Sequence, residues 1–340
     1  QLILLESNSD SVGVVHRLEV PHTPVQLALS ADGEVCAVAS LWSRRVTLVD
    51  VTRLQSEDSA NQTAQRRLRV RKAFDLPFAP RMLQFTDRDR QFIVADAFGG
   101  RMASIETTAG ELKLLRPVNG HNIRGLAIAH DGAALHVTHQ TLDSDSATTH
   151  EHVFWGSLMK NFVRSIPLDQ LFTLQNGGNP FTGSTYPLGH PSGATGDPGQ
   201  MLVTARGEAA LLLSGVNEVA MRRRPREPFV RRKVGQRPTG MALSTDQKTL
   251  YIANMFDDSV SVIDLTTFQV GEPITLGPQP KLTPAQRGER HFFDARLSLD
   301  GWYSCHSCHT DGHANGLLND NFGDNYFGDP KRIPSLLGVG

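Results

Sequence analysis

Along most of the chain, apolar residues alternate with polar ones or gather in runs of four to eight. Gly, Asp and Ser mark the breaks between them. That pattern predicts short β-strands joined by tight turns. The clearest unit reads Arg237-Pro238-Thr239-Gly240-Met241-Ala242-Leu243-Ser244, then Thr249-Leu250-Tyr251-Ile252-Ala253-Asn254, then Ser259-Val260-Ser261-Val262-Ile263-Asp264. A copy starts at Thr23-Pro24-Val25-Gln26-Leu27 and reaches Val46-Thr47-Leu48-Val49-Asp50. Others start at Ala79-Pro80-Arg81-Met82-Leu83, at Ile123-Arg124-Gly125-Leu126 and at Gln200-Met201-Leu202-Val203.

The copies recur at the period of a four-stranded propeller blade, roughly 40–50 residues. Leu83 precedes Leu126 by 43 positions and Leu202 precedes Leu243 by 41. Two wider intervals imply insertions, the longer between about 139 and 199. The first twenty residues, with Leu2-Ile3-Leu4-Leu5 and Val12-Gly13-Val14-Val15, match only part of a unit, as a ring closed by both ends of a domain would leave. The expectation is a mainly β fold: a six- or seven-bladed β-propeller over 1–276, then a small α-helical cytochrome c-like segment over 277–340. Tyr251-Ile252-Ala253-Asn254 with Ser261-Val262-Ile263-Asp264 resembles the YVTN-type propeller repeats of secreted and surface proteins. That resemblance implies the fold and says little of function.

The insertion holds Thr149-His150-Glu151-His152 and a Gly/Pro/Asn-rich stretch through Gly177-Gly178-Asn179-Pro180 to His190. On a strand, His150 and His152 would share a face, as a metal pair does. A surface loop covering a neighbouring domain is the better expectation. The chain changes character at Gly277-Pro278-Gln279-Pro280, a short linker. A helix is then predicted, with Thr283 as its N-cap and Pro284 at its first position.

Next stands Cys305-His306-Ser307-Cys308-His309. Two thiols at this spacing can add across the vinyl groups of a haem, and the adjacent imidazole is then placed to ligate the iron. A zinc site would need a second ligand pair, and a redox dithiol a thioredoxin-like βαβ pattern. Neither is in the sequence. The candidate site is therefore Cys305 and Cys308 as thioether attachments of a haem c, with His309 as proximal ligand to its iron. The second axial ligand stays open, with His313 and Met255 as candidates; otherwise His306 and His313 read as polar surface near the haem edge.

Arg290-His291-Phe292-Phe293-Asp294-Ala295-Arg296-Leu297-Ser298 precedes the motif and Arg332-Ile333-Pro334-Ser335-Leu336 follows it. Together they resemble the di-haem cytochrome c peroxidase and MauG-like superfamily over about sixty residues. The resemblance implies peroxidase-type redox chemistry and a second haem. This chain carries one C-x-x-C-H, so the second would come from a further domain or a partner chain. It also makes Ca²⁺ a candidate in the oxygen-rich stretch of Asp311, Asn315, Asn319, Asp320, Asn321, Asp324, Asn325 and Asp329. Asx-turns explain that stretch otherwise.

Composition narrows the remaining choices. Lys and Arg number 34 against 35 Asp and Glu, so the net charge of −1 gives no bulk attraction to nucleic acid. The run Met221-Arg222-Arg223-Arg224-Pro225-Arg226, with Arg231, Arg232 and Lys233, reads as a solvated outer strand or as a docking patch for a small acidic electron carrier. No apolar stretch is long enough for a membrane helix. Of three cysteines, Cys36 lies in an apolar run and reads as a core thiol, so a disulfide framework is not expected. No signal peptide is visible, and a start at Gln1 fits a processed form. Thiol-to-vinyl attachment is carried out outside the cytoplasm in bacteria, which implies export to the periplasm or an equivalent compartment. Three functions compete: a peroxidase-type oxidoreductase, an electron-transfer cytochrome with a propeller platform, and a non-catalytic binding propeller.

Overall fold

The structure is a computed structural model that describes residues 1–7, 11–53, 66–86, 90–173, 184–279, 281–320, 324, 326–328 and 330–338. Gly177 to Pro180 of the insertion, Pro280 of the linker, and Asn321, Asn325 and Asp329 lie outside the described residues. The fold is a mainly-β propeller with five blades among the described residues, four of them four-stranded and the last with a fifth short strand. The chain divides into two compact units. Of the described residues, one comprises those within 1–97 and 101–116, the other those within 98–100, 117–173 and 184–338.

The first unit holds a hairpin, β1 (Leu2–Ser7) with β2 (Val12–Leu18), and two blades. Blade 1 is β3 (Pro24–Leu29), β4 (Val35–Ser40), β5 (Arg45–Arg53) and β6 (Arg66–Asp75). Blade 2 is β7 (Pro80–Phe85), β8 (Gln91–Asp96), β9 (Met102–Glu106) and β10 (Leu112–Leu114). Successive side chains of a strand point to opposite faces, and β4 shows how blade 1 uses both. Cys36 and Val38 face Leu2, Leu4 and Leu18 of the hairpin. Ala37 and Ala39 face the cluster that includes Leu83, Phe92 and Val94 of blade 2. Cys36 is buried, as its apolar neighbours imply, and burial pushes its thiol up to about 11.

The second unit holds three blades. Blade 3 is β11 (His121–Ile128), β12 (Ala134–Leu142), β13 (Met159–Pro167) and β14 (Ser184–Leu188). Two short helices, α1 (His150–Phe154) and α2 (Leu168–Thr173), interrupt it. Blade 4 is β15 (Pro198–Val203), β16 (Ala209–Leu213), β17 (Glu218–Arg222) and β18 (Val230–Lys233). Blade 5 is β19 (Pro238–Leu243), β20 (Thr249–Asn254), β21 (Ser259–Asp264) and β22 (Gln269–Val270), with β23 (Ile274–Thr275) also paired to β21. Met201, Leu211 and Leu213 of blade 4 pack on Ala127 and Val163 of blade 3. Leu212 and Met221 pack on Leu250, Ile252 and Ile263 of blade 5. Each of these Leu, Ile, Val and Met side chains contributes roughly 1.5–3 kcal/mol by leaving water.

Five blades, not six or seven, replace the expected count. The partial N-terminal unit pairs with itself as a hairpin laid on blade 1. The long interval after the copy at Ile123, expected as a surface loop, contains β13, β14 and both helices of blade 3 among its described residues. His150 and His152 lie on α1, not on a strand, because the Thr149 hydroxyl accepts from the His152 N–H and starts a helix there. His150 stacks on Phe154, and His152 hydrogen-bonds through Nδ1 to the Ala147 carbonyl. The basic run is built into blade 4. Arg222 and Arg223 lie over Phe229 and Phe268, and Arg231 pairs with Glu218.

All five first strands begin with a register shift, between Pro24 and Gln26, Pro80 and Met82, His121 and Gly125, Pro198 and Met201, and Pro238 and Gly240. Four of them carry a non-glycine residue in the left-handed region at that point: Thr23, Asn122, Asp197 and Arg237. Such shifts and left-handed residues re-aim side chains and gather at functional positions. The glutamine two residues past the proline links neighbours: Gln26 accepts from the Leu83 N–H, and Gln200 bonds both backbone groups of Met241.

Candidate functional site

The segment after the linker is positioned by its own caps and by the second unit's backbone. Helix α3 (Pro284–Phe292) starts as expected: Thr283 and Gln286 form a reciprocal capping box, with Pro284 in the first turn. Past Phe293, Ala295 is fully buried. Its N–H bonds the Gly215 carbonyl, and a Cβ on Gly196 would meet the Ala295 methyl at 2.5 Å. Trp302 is buried too, with its indole N–H donating to the Phe154 carbonyl and its own carbonyl accepting from the Asn161 amide at 3.0 Å. Gly156, at φ +64°, lies so close to the indole that a Cβ would clash at 2.6 Å.

These contacts deliver the chain to α4 (Cys305–Cys308), a single helical turn capped by Ser304. Both thiols are free; Cys305 is exposed and Cys308 half-buried. Burial, then the charges of Asp197 and Cys305, push the Cys308 thiol up to about 12. His309 closes the turn, its N–H on the Cys305 carbonyl at 2.9 Å. Its ring Nδ1 lies 3.0 Å from the carbonyl oxygen of Pro334. An oxygen acceptor there requires Nδ1 to carry a proton, and in the neutral ring that tautomer presents the Nε2 lone pair. Pro334 is held by the surrounding chain: β24 (Leu318–Asn319) pairs with β25 (Lys331–Arg332), and the Ile333 N–H bonds the Leu317 carbonyl.

Cys305, Cys308 and His309 line one cleft of about 420 Å³, with His291, Leu297, Tyr303 and Ile333 among its other walls. Its size falls in the range of small-molecule and cofactor sites. Two thiols and an imidazole of fixed tautomer, with apolar side chains beside them, form a donor set suited to a c-type haem.

Beneath the turn lies a polar cluster that sequence reasoning missed. Asp197 is fully buried and accepts from the Ser304 and Ser307 hydroxyls at 2.5 and 2.6 Å. Burial works against its charge. The proximity of His306 and the two hydroxyls outweighs that and holds its carboxyl well below the usual range. His121 reaches the Ser307 carbonyl at 3.2 Å, and Gln140 reaches the Ser307 hydroxyl. His306 is buried, not surface as expected, 3.6 Å from Asp197, 3.1 Å from Arg124 and 3.7 Å from Asp311. Arg237 lies over the Phe293 ring, which in turn sits 5.0 Å from the His306 ring. The left-handed residues Asn122, Asp197 and Arg237, from three consecutive blades, all belong to this cluster or hold one of its members, since Asn122 accepts from the Arg124 guanidinium. The visible signal was the residue–proline pair that opens several units, Asp197-Pro198 and Arg237-Pro238 among them.

Of the residues considered for the second axial position, His313 bonds the Ser335 hydroxyl and packs on Phe98, and Met255 is half exposed; neither lines the cleft. His291, which the sequence did not single out, does. The described residues of the oxygen-rich stretch are engaged by blade 3 and by their own neighbours. Asp311 pairs with Arg124, Asn315 accepts from Leu317, Asp320 from Gly328 and Asp324 from Tyr326. Among the described residues, no three His, Cys, Asp or Glu side chains converge as a metal site would require. No helix among them is long and apolar enough to cross a membrane.

No family model matches the chain, and no curated protein does. Solved structures do. Kuenenia stuttgartiensis hydrazine synthase is similar at 19% identity, with a TM-score of 0.55 over 77% of this chain and 79% of that one. A chain of a nidogen/laminin complex is similar at 12% identity, TM-score 0.54, over 80% and 88%. Virginiamycin B lyase from Staphylococcus aureus is similar at 12% identity, TM-score 0.52, over 82% and 78%. At such identities the likeness shows the fold alone: the chain is a β-propeller.

Proposed function

We propose that this chain is a c-type haem redox protein, its haem carried at the end of a propeller that serves as scaffold. The observation that carries the reading is the His309 Nδ1 to Pro334 carbonyl bond at 3.0 Å, beside two free thiols in the same cleft. Metal-ligating histidines commonly donate their second ring N–H to a carbonyl, which fixes the tautomer and aims the other nitrogen at the metal. When bound, the haem supplies one-electron chemistry. Cys305 and Cys308 would hold it through thioethers, and His309 would present Nε2 to the iron. The buried Ile333 would keep water from that side of the cleft.

The test is retention of haem. Matured in an exporting host, the denatured chain should keep haem absorbance and a mass increment of one haem, and Cys305→Ser with Cys308→Ser should lose both. Complete extraction of haem from the unsubstituted chain by acid-acetone refutes the reading. If the haem is so attached, the mature protein belongs outside the cytoplasm, in the periplasm or its equivalent.

Peroxidase-type turnover is the finer reading, supported by the likeness of the Phe292–Ser298 and Arg332–Leu336 segments to the di-haem peroxidase and MauG-like superfamily. It requires a second haem from a further domain or a partner chain, and a small electron carrier as donor. One observation favours pure electron transfer instead: His291 is a second imidazole on the cleft wall. Two strong protein ligands would leave no position for peroxide. A spectrum that stays six-coordinate and ignores hydrogen peroxide, and becomes peroxide-sensitive in His291→Ala, decides for electron transfer.

A further inference from the structure

We infer that Asp197 is a positioning residue that also holds down the reduction potential of the haem attached at Cys305 and Cys308. The inference deepens the haem reading and rests on it. Its basis is the direct link between one buried carboxylate and the attachment turn. Asp197 touches three of the residues around the cysteines: Ser304 before the first, and His306 and Ser307 between the two. Ser304 and Ser307 are also tied to each other, the Ser304 N–H donating to the Ser307 hydroxyl at 3.0 Å. The carboxylate thus fixes the turn at both ends of the cysteine pair. It does so from a left-handed backbone position, φ +53°, that blade 4 sustains next to Pro198.

The charge has a second effect. Asp197 is 3% exposed, so water screens it little. Taking up an electron lowers the charge of the iron centre by one. A nearby fixed negative charge opposes that step and favours the ferric form. Burial, nearby charge and hydrogen bonding are the means by which a protein sets a haem potential. Arg124 acts in the opposite sense. It is mostly buried, 3.1 Å from the His306 ring nitrogen and paired with Asp311 at 3.1 Å. Arg237, stacked on Phe293, is a further positive group on that side. Two neighbours of the same turn therefore carry opposite charge, and removing each should move the potential in opposite directions. A purely structural role for Asp197 gives no such pair of signs.

The experiment is a mediated redox titration of the full-length haem-loaded chain at pH 7, with haem content checked by denatured mass. Asp197→Asn keeps the shape and removes the charge. It should raise the midpoint, with a roughly tenfold change in the ferrous-to-ferric equilibrium constant, about 59 mV for one electron. Arg124→Gln should lower it. An Asp197→Asn protein that carries haem at an unchanged or lower potential overturns the inference and leaves the haem reading intact. If Asp197→Asn does not accumulate folded, Asp197→Ser takes its place: a raised midpoint beside a lowered one in Arg124→Gln supports the inference, and an unchanged or lowered midpoint overturns it. A wild-type chain without covalent haem removes both.

Discussion

Mild acid should destabilise the second unit through two buried histidines that are held neutral. His139 is fully buried. Its Nε2 accepts from the Arg164 guanidinium at 3.2 Å, and its Nδ1 lies 3.2 Å from the Gln140 carbonyl. That pattern needs the neutral ring, and a proton on Nε2 would set a cation against Arg164. Burial, then Arg164, push its value down to about 3. His121 is buried likewise and pushed down to about 4, chiefly by burial. In the unfolded chain both return to near 6.5. Between 6.5 and those lower values only the unfolded state binds the proton, so stability falls as pH falls. Linkage gives about 2 kcal/mol lost per histidine from pH 7 to pH 5, or about 4 kcal/mol for the pair. For a body of this size that is a drop in Tm on the order of 10 °C. Asp197 does not blur the window: its lowered value keeps its contribution intact above about 3.8, and that contribution is lost only as pH falls further. Thermal melts by circular dichroism at pH 7, 6 and 5 measure the effect. His136 of the same blade is also pushed down to about 4, chiefly by burial, and adds to it, so His139→Gln should remove about a third of the pH dependence. A Tm constant over that range, or a His139→Gln slope equal to wild type, refutes the reasoning.

Three further outcomes follow from the packing. Gly156→Ala should cost more than 1 kcal/mol in urea melts, since it meets both a left-handed φ of +64° and the Trp302 ring at 2.6 Å. Gln200→Ala should cost about 1–2 kcal/mol by freeing both Met241 backbone groups, and hydrogen exchange at Met241 should rise. Thr283→Ala removes one side of a capping box and should cost about 1 kcal/mol, visible as earlier fraying of α3 by exchange.

The repeats were legible because a blade is local. Strand alternation, proline at the first strand and Asp or Gly at the turns all act within a few dozen residues. The blade count was not, because Leu2 to Leu18 carries good strand residues and nothing in it says that it pairs with itself. His150 and His152 misled because a two-residue spacing suits a strand, whereas Thr149 caps a helix. The C-x-x-C-H motif is five contiguous residues, so its spacing could be read without the fold. The buried cluster beneath it could not. Asp197 meets Ser304 and Ser307 across 107 and 110 positions, and His121 meets Ser307 across 186. Such pairs become neighbours only once blades 3 to 5 have formed. His306 was misjudged for the same reason: alone it is a polar residue between cysteines, and its burial is set by Arg124 and Asp197.

The shifted, left-handed start of the first strands separates what a blade presents from how it is held together. The ladder bonds of each blade run through backbone groups, and the left-handed residue stands just outside or at the edge of them. At that point the chain already places Thr, Asn, Asp and Arg, at positions 23, 122, 197 and 237. Each start therefore works as an interchangeable socket: a single codon can alter the charge or hydrogen-bonding group on offer without rewriting the strands behind it. A lineage could re-equip such a platform to hold one group or another, or none, while its blades drifted only in their cores.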